Sequence, residues 1–411
     1  MKFNAVVLIA VTLLLASTVL LVFSIVETSS IEVTEKWISR IAVGEEPVSV
    51  TVSDDEVLLA TIKPGGYQSF VIYRIGTDGN VVWRTTGGTL EGRAIYPISI
   101  SRRGDEIIVI SLIDTRDKIR IYYYTTSGLL SKKVDLNLGP LTLVFDAELY
   151  SDGSILFGGL KYVLGEKAQY YIERFNPEDN TRYWSISWGT EGYDYIIKLL
   201  VSSNGYVFAL GNSTLQGYTL TCIDGDGEIL WSIPLGKSEP VSLRLSPDNN
   251  NIYLLLGRGN KYRVLVISSI DGGLVNSYEL DLSPLFKYAT LTDFEVLALN
   301  RGEVFAITGT GYSAESEHQT LAFILLYKPG TGFEKIIKIS SEQDTAIYAV
   351  TSIDKSLYIV GLAGITTFIG SYEVGEGGID ALAIITSLTT ASISLYILFR
   401  EVSRKREKIS T

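Results

Sequence analysis

The chain has 411 residues, a formal net charge of −11, and many glycines (38) and tyrosines (25). Its one cysteine, Cys222, excludes an intramolecular disulfide, and its one histidine, His318, leaves little for histidine-based catalysis. The acidic balance argues against nucleic acid as a partner, because phosphates would be repelled. Few Cys, Met and His beside many charged residues are typical of heat-adapted proteins and suggest an archaeal source.

The first predicted element is a membrane segment. Residues 5–26 are apolar and uncharged, and as a helix they would span about 30 Å, the thickness of a bilayer core. We predict a transmembrane signal-anchor helix over residues 1–27. A cleaved signal peptide is the alternative, although the apolar run is longer than a usual signal core.

A repeat fills the next part of the chain, residues 28–375. A polar turn followed by an apolar strand that ends near glycine recurs seven times, at intervals of 44 to 54 residues. Examples are "YSDGSILFGG" (150–159), "VSSNGYVFALG" (201–211) and "LNRGEVFAITG" (299–309). Seven copies in one phase indicate a repeat architecture rather than a pair of β-sandwiches.

A second hairpin recurs in the same period, as in "IGTDGNVVWRTTGG" (75–88) and "IDGDGEILWSIPLG" (223–236). Its last strand has equivalent positions at Trp37, Trp83, Lys132, Trp184, Trp231, Ser277 and Ile336. Each period thus holds four strands, a to d, which is the content of one propeller blade. The sequence predicts an all-β, seven-bladed propeller flanked by two transmembrane helices, in which Ile31–Val43 supplies the missing d strand of the last blade.

The stretch "TCIDGDGEILWSIPLG" (221–236) resembles the repeat of the quinoprotein, or PQQ-like, β-propellers. The resemblance implies the blade type. For catalytic members it also implies a quinone, a calcium ion and often adjacent cysteines. One cysteine excludes the last, and no calcium cage stands out. "DGDGE" (224–228) could feed calcium but is better explained as a hairpin turn. We therefore predict no cofactor, no metal site and no catalytic residue. A quinone-dependent dehydrogenase or hydrolase at the channel mouth is the alternative.

The last predicted elements are a linker (376–380), a second transmembrane helix (381–399) and a basic tail (400–411). Basic residues beside a membrane helix stay in the cytoplasm. With two spans, both termini are expected to be cytoplasmic and the propeller extracellular, so the lipid membrane is one expected partner.

Short linkers on both sides of the repeat predict that the face carrying the c–d turns lies against the membrane. The d–a loops would then point outward, and they carry carboxylates and tyrosines. The candidate ligand-binding residues are Glu45, Glu91, Glu191, Asp194, Tyr193, Glu239 and Asp344. They predict a binding or assembly module for a protein, a glycan or a cationic ligand. Solvated acidic loops are the alternative, and Asn212 begins a glycosylation sequon.

Overall fold

The computed structural model describes residues 31–54, 56–63, 69–88, 94–113, 117–139, 141–163, 167–300, 302–312, 320–339 and 343–376. The chain separates into two units. Glu35–Glu373 forms the larger one, and the other contains both chain ends, of which residues 31–34 and 374–376 are described.

The described residues contain 28 β-strands. They are β1 (Ile31–Val43), β2 (Glu46–Ser53), β3 (Glu56–Ile62), β4 (Phe70–Ile75), β5 (Val81–Gly87), β6 (Ile95–Arg103), β7 (Glu106–Ile113), β8 (Lys118–Thr125), β9 (Leu130–Asn137), β10 (Thr142–Leu149), β11 (Ile155–Lys161), β12 (Gln169–Asn176), β13 (Thr181–Trp188), β14 (Asp194–Val201), β15 (Val207–Ser213), β16 (Gly217–Ile223), β17 (Ile229–Gly236), β18 (Pro240–Leu245), β19 (Asn251–Arg258), β20 (Lys261–Ser268), β21 (Leu274–Asp281), β22 (Tyr288–Leu299), β23 (Gly302–Tyr312), β24 (Leu321–Lys328), β25 (Gly332–Ile339), β26 (Thr345–Ile353), β27 (Ser356–Ala363) and β28 (Thr366–Glu376).

The strands form seven antiparallel sheets of four, each a blade. Blades 1 to 6 take consecutive strands, from β2–β5 to β22–β25, with the first strand (a) innermost. Blade 7 has the order β26-β27-β28-β1, so the first strand of the chain is its outer d strand. The predicted closure is confirmed. The Gly44 amide donates to the Ile365 carbonyl at 2.7 Å, and Lys36 pairs with Glu373.

The a strands contact one another in ring order, and β26 returns to β2. The hydrophobic core lies between neighbouring blades. Between blades 1 and 2, for example, Phe70 and Ile72 pack with Ile107 and Tyr122. One end of the ring carries the a–b and c–d turns, and is called the c–d face. The other end carries the d–a and b–c connections, and is called the d–a face.

In four blades the c–d turn on the outside of the ring meets the d strand of the preceding blade. A tryptophan of that strand covers the turn glycine and donates its indole N–H to a turn carbonyl, as Trp184 does to Gly225 at 2.8 Å. A Cβ at Gly227 would lie 2.9 Å from this indole, so glycine is required there. The pairs are Trp37 with Gly79, Trp83 with Gly128, Trp184 with Gly227, and Trp231 with Gly272.

The contact between blades 2 and 3 departs from this pattern on both sides. Blade 2 has Lys132 at this position, and the facing turn of blade 3 uses Asn180 at φ 61° in place of glycine. The expected equivalents Ser277 and Ile336 were wrong by one residue. The register places Asn276 and Lys335 there, opposite Val266 and Leu326.

Every a strand has a β-bulge near its start. In blades 1, 2 and 5 a proline precedes the bulge, and in the other four blades a glycine of strand b lies opposite. A Cβ at Gly159, Gly309 or Gly361 would collide with an a-strand carbonyl. This close approach explains why the recurring apolar strand ends near glycine.

Both predicted transmembrane segments, the linker beyond Glu376 and the basic tail lie outside the described residues. Among the residues that are described, no helix is long and apolar enough to cross a membrane.

Candidate functional site

The a strands enclose a central channel with a cavity of about 490 Å³. Two side-chain positions of each a strand face it, the residue after the bulge and the residue two further on, and all of them except Asp146 line the cavity. On blades 7, 1 and 2 these positions hold small side chains, namely Ala349, Thr351, Ser49, Thr51, Ser99 and Ser101. On blades 3 to 6 the same positions hold Asp146, Glu148, Lys198, Leu200, Ser242, Arg244, Asp293 and Glu295. The channel therefore has a hydroxyl half and a charged half.

Arg244 organises one end of the charged half. Its guanidinium donates to both carboxylate oxygens of Asp293 at 2.8 Å and lies 3.4 Å from Glu295. Asp293 also accepts the Val350 amide at 3.1 Å, which links blades 5, 6 and 7. Burial opposes the charge of Arg244, but Asp293 and Glu295 raise its pKa. This group is fully bonded and holds three blades together.

Asp146 ties blade 3 to blade 4. Its carboxylate accepts the Leu199 amide at 2.7 Å and the Lys198 ammonium at 3.2 Å. Ser49 makes the same kind of link by accepting the Ile100 amide of the next blade at 3.2 Å. Asp146 and Ser49 thus make equivalent contacts with the next blade, one through a carboxylate and the other through a hydroxyl.

Glu148 is the least satisfied carboxylate of the channel. Its one polar partner among the described residues is Lys198, at 3.6 Å, and its side chain is 30% exposed to the channel. Burial raises its pKa to about 7, and Lys198 only partly offsets this. Burial also raises the pKa of Glu295, despite Arg244.

The charged half contains four carboxylates and two cations, so with all six ionised it carries a charge of −2. Such a surface inside a walled cavity attracts cations more strongly than the same charges would on open surface. No group of three or more metal-ligating side chains occurs among the described residues.

Three of the sequence-predicted site residues make internal hydrogen bonds. Glu45 is buried and accepts from Thr61 at 2.6 Å and from Tyr73 at 2.9 Å. Asp194 is fully buried and accepts from the Thr190 hydroxyl at 3.0 Å. Asp344 is exposed, but its carboxylate accepts the Thr320 amide at 2.8 Å. These carboxylates hold the d–a connections in place.

Glu191, Tyr193 and Glu239 are exposed on the d–a face, whereas Glu91 lies outside the described residues. Tyr193 packs edge-on against Tyr162, with ring centroids 6.5 Å apart, and Lys167 lies over its ring. Glu239 lines a separate cleft of about 360 Å³ between blades 5 and 6. The predicted residues are therefore distributed around the face and do not converge on one site.

The remaining candidates have local roles. Asp224 accepts the amides of Asp226 and Glu228 at 3.0 and 2.8 Å, as an ordinary turn residue does. Asn212 is partly buried and donates to the Tyr195 hydroxyl at 2.9 Å. Cys222 is buried, and burial raises the pKa of its thiol to about 12, so it is unreactive. His318 lies outside the described residues.

Sequence analysis missed the channel charges. The available signal was a charged residue at alternate positions of an otherwise apolar strand, as in "VFDAEL" (144–149) and "TDFEVL" (292–297). Aligning the repeats by their bulges would have placed these residues on one wall of the channel.

No protein-family model matches the sequence, and no curated protein matches it. Solved structures do resemble it. Raptor of Chaetomium thermophilum is 9% identical with a TM-score of 0.58, and the match covers 85% of this chain and 29% of that one. The β-propeller domain of Cps50 (Swd1) from Myceliophteria thermophila is 14% identical with a TM-score of 0.54, covering 83% and 99%.

BBS1N, solved in complex with ARL6DN, is 12% identical with a TM-score of 0.52, and the match covers 84% of this chain and 98% of that one. The fold is a seven-bladed β-propeller. At these identities the likeness extends to the fold alone, so the function of this propeller rests on its own side chains.

Proposed function

We propose that the chain is a membrane-anchored, extracellular propeller that binds a partner protein through its d–a face. The observation that carries the proposal is a set of exposed tyrosines on that face. They are Tyr162, Tyr193, Tyr288, Tyr312 and Tyr348, each 36% to 51% exposed. Tyrosine is enriched in protein interfaces, because it offers apolar area and a polar tip at low cost in conformational entropy.

The chain ends of the larger unit support one orientation of the ring toward the membrane. Glu35 in β1 and Glu373 in β28 both lie at the c–d end of blade 7, where Lys36 pairs with Glu373. The uncharged apolar segments 5–26 and 381–399 lie beyond these ends in sequence. This supports a c–d face toward the membrane and an outward d–a face.

A matched pair of tyrosines tests the partner. Tyr193 on the d–a face and Tyr183 on the c–d face are 44% and 47% exposed. We would replace each with a photo-crosslinking amino acid and irradiate native membranes. We expect a discrete protein adduct from position 193 and none from position 183. Equal labelling from both positions, or none from 193, would contradict a partner on the d–a face.

The location is tested by cysteine labelling, for which buried Cys222 gives a silent background. A Leu215→Cys variant places a thiol at an exposed d–a position, and Thr411→Cys places one at the C-terminus. A membrane-impermeant maleimide should label position 215 on intact cells and position 411 only after permeabilisation. The reverse pattern would refute the extracellular assignment.

A further inference from the structure

We propose that the central channel binds a small organic cation that carries an ammonium or guanidinium group. This goes beyond binding of a partner protein and does not depend on it. The ligand would lie between the charged half of the channel and its hydroxyl half.

The charge of the channel is incompletely balanced by its own residues. Arg244 is fully engaged by Asp293 and Glu295, and Lys198 serves two carboxylates at 3.2 and 3.6 Å. Within the described part of the chain, the polar contact of Glu148 is the longer of the two Lys198 contacts, at 3.6 Å. A cation placed beside Glu148 would supply the missing counter-charge, and its N–H groups would supply the missing donors.

The opposite wall offers oxygen acceptors. Ser99 is only 8% exposed, lines the cavity, and makes no side-chain hydrogen bond within the described part of the chain. The Thr51 and Thr351 hydroxyls line the same cavity. Ser99 Oγ faces the cavity, so a ligand N–H group that reaches it would gain a hydrogen-bond acceptor. These hydroxyls are a second feature, independent of the carboxylates, that can accept hydrogen bonds from a ligand.

The chemistry of the walls favours an organic cation over a metal ion. No three ligating side chains lie close enough together to hold a metal ion among the described residues. Two cationic side chains also stand between the carboxylates of blades 3 and 6 in ring order. A cavity of about 490 Å³ is within the range of small-molecule sites.

Glu148 makes binding depend on pH. Asp146, Lys198 and Arg244 are the charged groups that act on its carboxyl, and burial raises its pKa to about 7. Below pH 7 the proton neutralises the carboxyl and competes with the ligand. Above pH 7 the carboxylate is free to pair with the ligand, so affinity should increase from pH 6 to pH 8.

The test uses the full chain in detergent micelles and calorimetric titration with 1,4-diaminobutane. Succinate serves as a probe of the same length and opposite charge. Glu148→Gln removes one channel charge, and Glu279→Gln removes the same charge from an exposed d strand outside the channel. Circular dichroism melts check that each variant is folded, and Glu295→Gln is a second channel variant.

We expect 1,4-diaminobutane to bind and succinate not to bind. Affinity should fall about tenfold or more in Glu148→Gln, change less than about twofold in Glu279→Gln, and lose its pH dependence in Glu148→Gln. No binding of 1,4-diaminobutane, or equal affinity in the folded wild type and both channel variants, would overturn the proposal. The photo-crosslinking result would be unaffected by either outcome.

Discussion

The outer wall of the propeller and the wall of its channel are built on opposite plans. On the outer wall, four blades make the same contact, in which a d-strand indole lies on the turn glycine of the next blade. On the channel wall, equivalent positions hold serine, aspartate, lysine or alanine, as at Ser49, Asp146, Lys198 and Ala349. The stabilising contact recurs from blade to blade, whereas the side chains of the channel wall differ.

This difference shows which positions of a repeat protein can vary from one repeat to the next. A contact that recurs constrains two residues at once, such as Trp184 and Gly227. Between blades 2 and 3 both partners are replaced, by Lys132 and Asn180. The channel has no such pairing rule. Its ion pairs, such as Arg244 with Asp293, join particular blades and do not repeat around the ring, so departures from the repeat there mark candidate function.

The largest expected effect comes from breaking the channel wall at Arg244. Arg244→Met leaves Asp293 and Glu295 without their cation in a poorly solvated site, and we expect a loss of about 3–5 kcal/mol in unfolding free energy. Chemical denaturation measures it. Arg258→Met, at an exposed position that makes no ion pair with the described residues, is the matched control and should change stability little. Equal effects would mean that the channel charges are not structural.

The next effect sharpens the account of the outer wall. Trp231→Ala removes an indole that touches Gly272 and donates to the Ser269 carbonyl at 3.3 Å. We expect a loss of about 3 kcal/mol with no change in 1,4-diaminobutane affinity. The adjacent, exposed Leu230→Ala should cost less than about 0.5 kcal/mol. An unchanged melting temperature in the tryptophan variant would show that the seam does not stabilise the ring.

The smallest effect is a gain. The pKa of Glu148 is raised to about 7 in the folded chain. The free energy of unfolding therefore falls as the pH rises from the ordinary pKa of a glutamate to about 7, because ionisation is harder in the folded state. Glu148→Gln should therefore stabilise the ligand-free protein at pH 8 by about 1–2 kcal/mol, after allowance for water in the channel, and have little effect at pH 4. Thermal melts at both pH values measure this difference. Stabilisation at pH 4 and not at pH 8 would contradict the raised pKa of Glu148.

Most of the fold could be predicted from the sequence. Glycine and tryptophan at fixed spacing mark the c–d turns, and the unpaired strand Ile31–Val43 predicts the closure, because each of these features is local or repeats. The registers of Asn276 and Lys335 were missed, since without tryptophan the hairpin has no marker and its bulge moves the alignment by one residue.

The candidate site was less predictable. Exposed Tyr193 and Glu239 and buried Glu45 look alike in sequence, because each lies in a polar d–a connection. Their burial depends on partners far along the chain, such as Tyr73 for Glu45. The channel charges lie on different blades and come together only when the ring closes, so the sequence of one repeat does not reveal them.

The joining of β1 to β28 has a consequence for how the protein is made. The Thr367 hydroxyl donates to the Glu45 carbonyl across 322 residues of sequence, so blade 7 is completed only after nearly the whole propeller has been synthesised. Until then β1 is an outer strand without a sheet, and contacts of such long range form slowly. A nascent chain therefore carries an open strand edge until β28 has been synthesised.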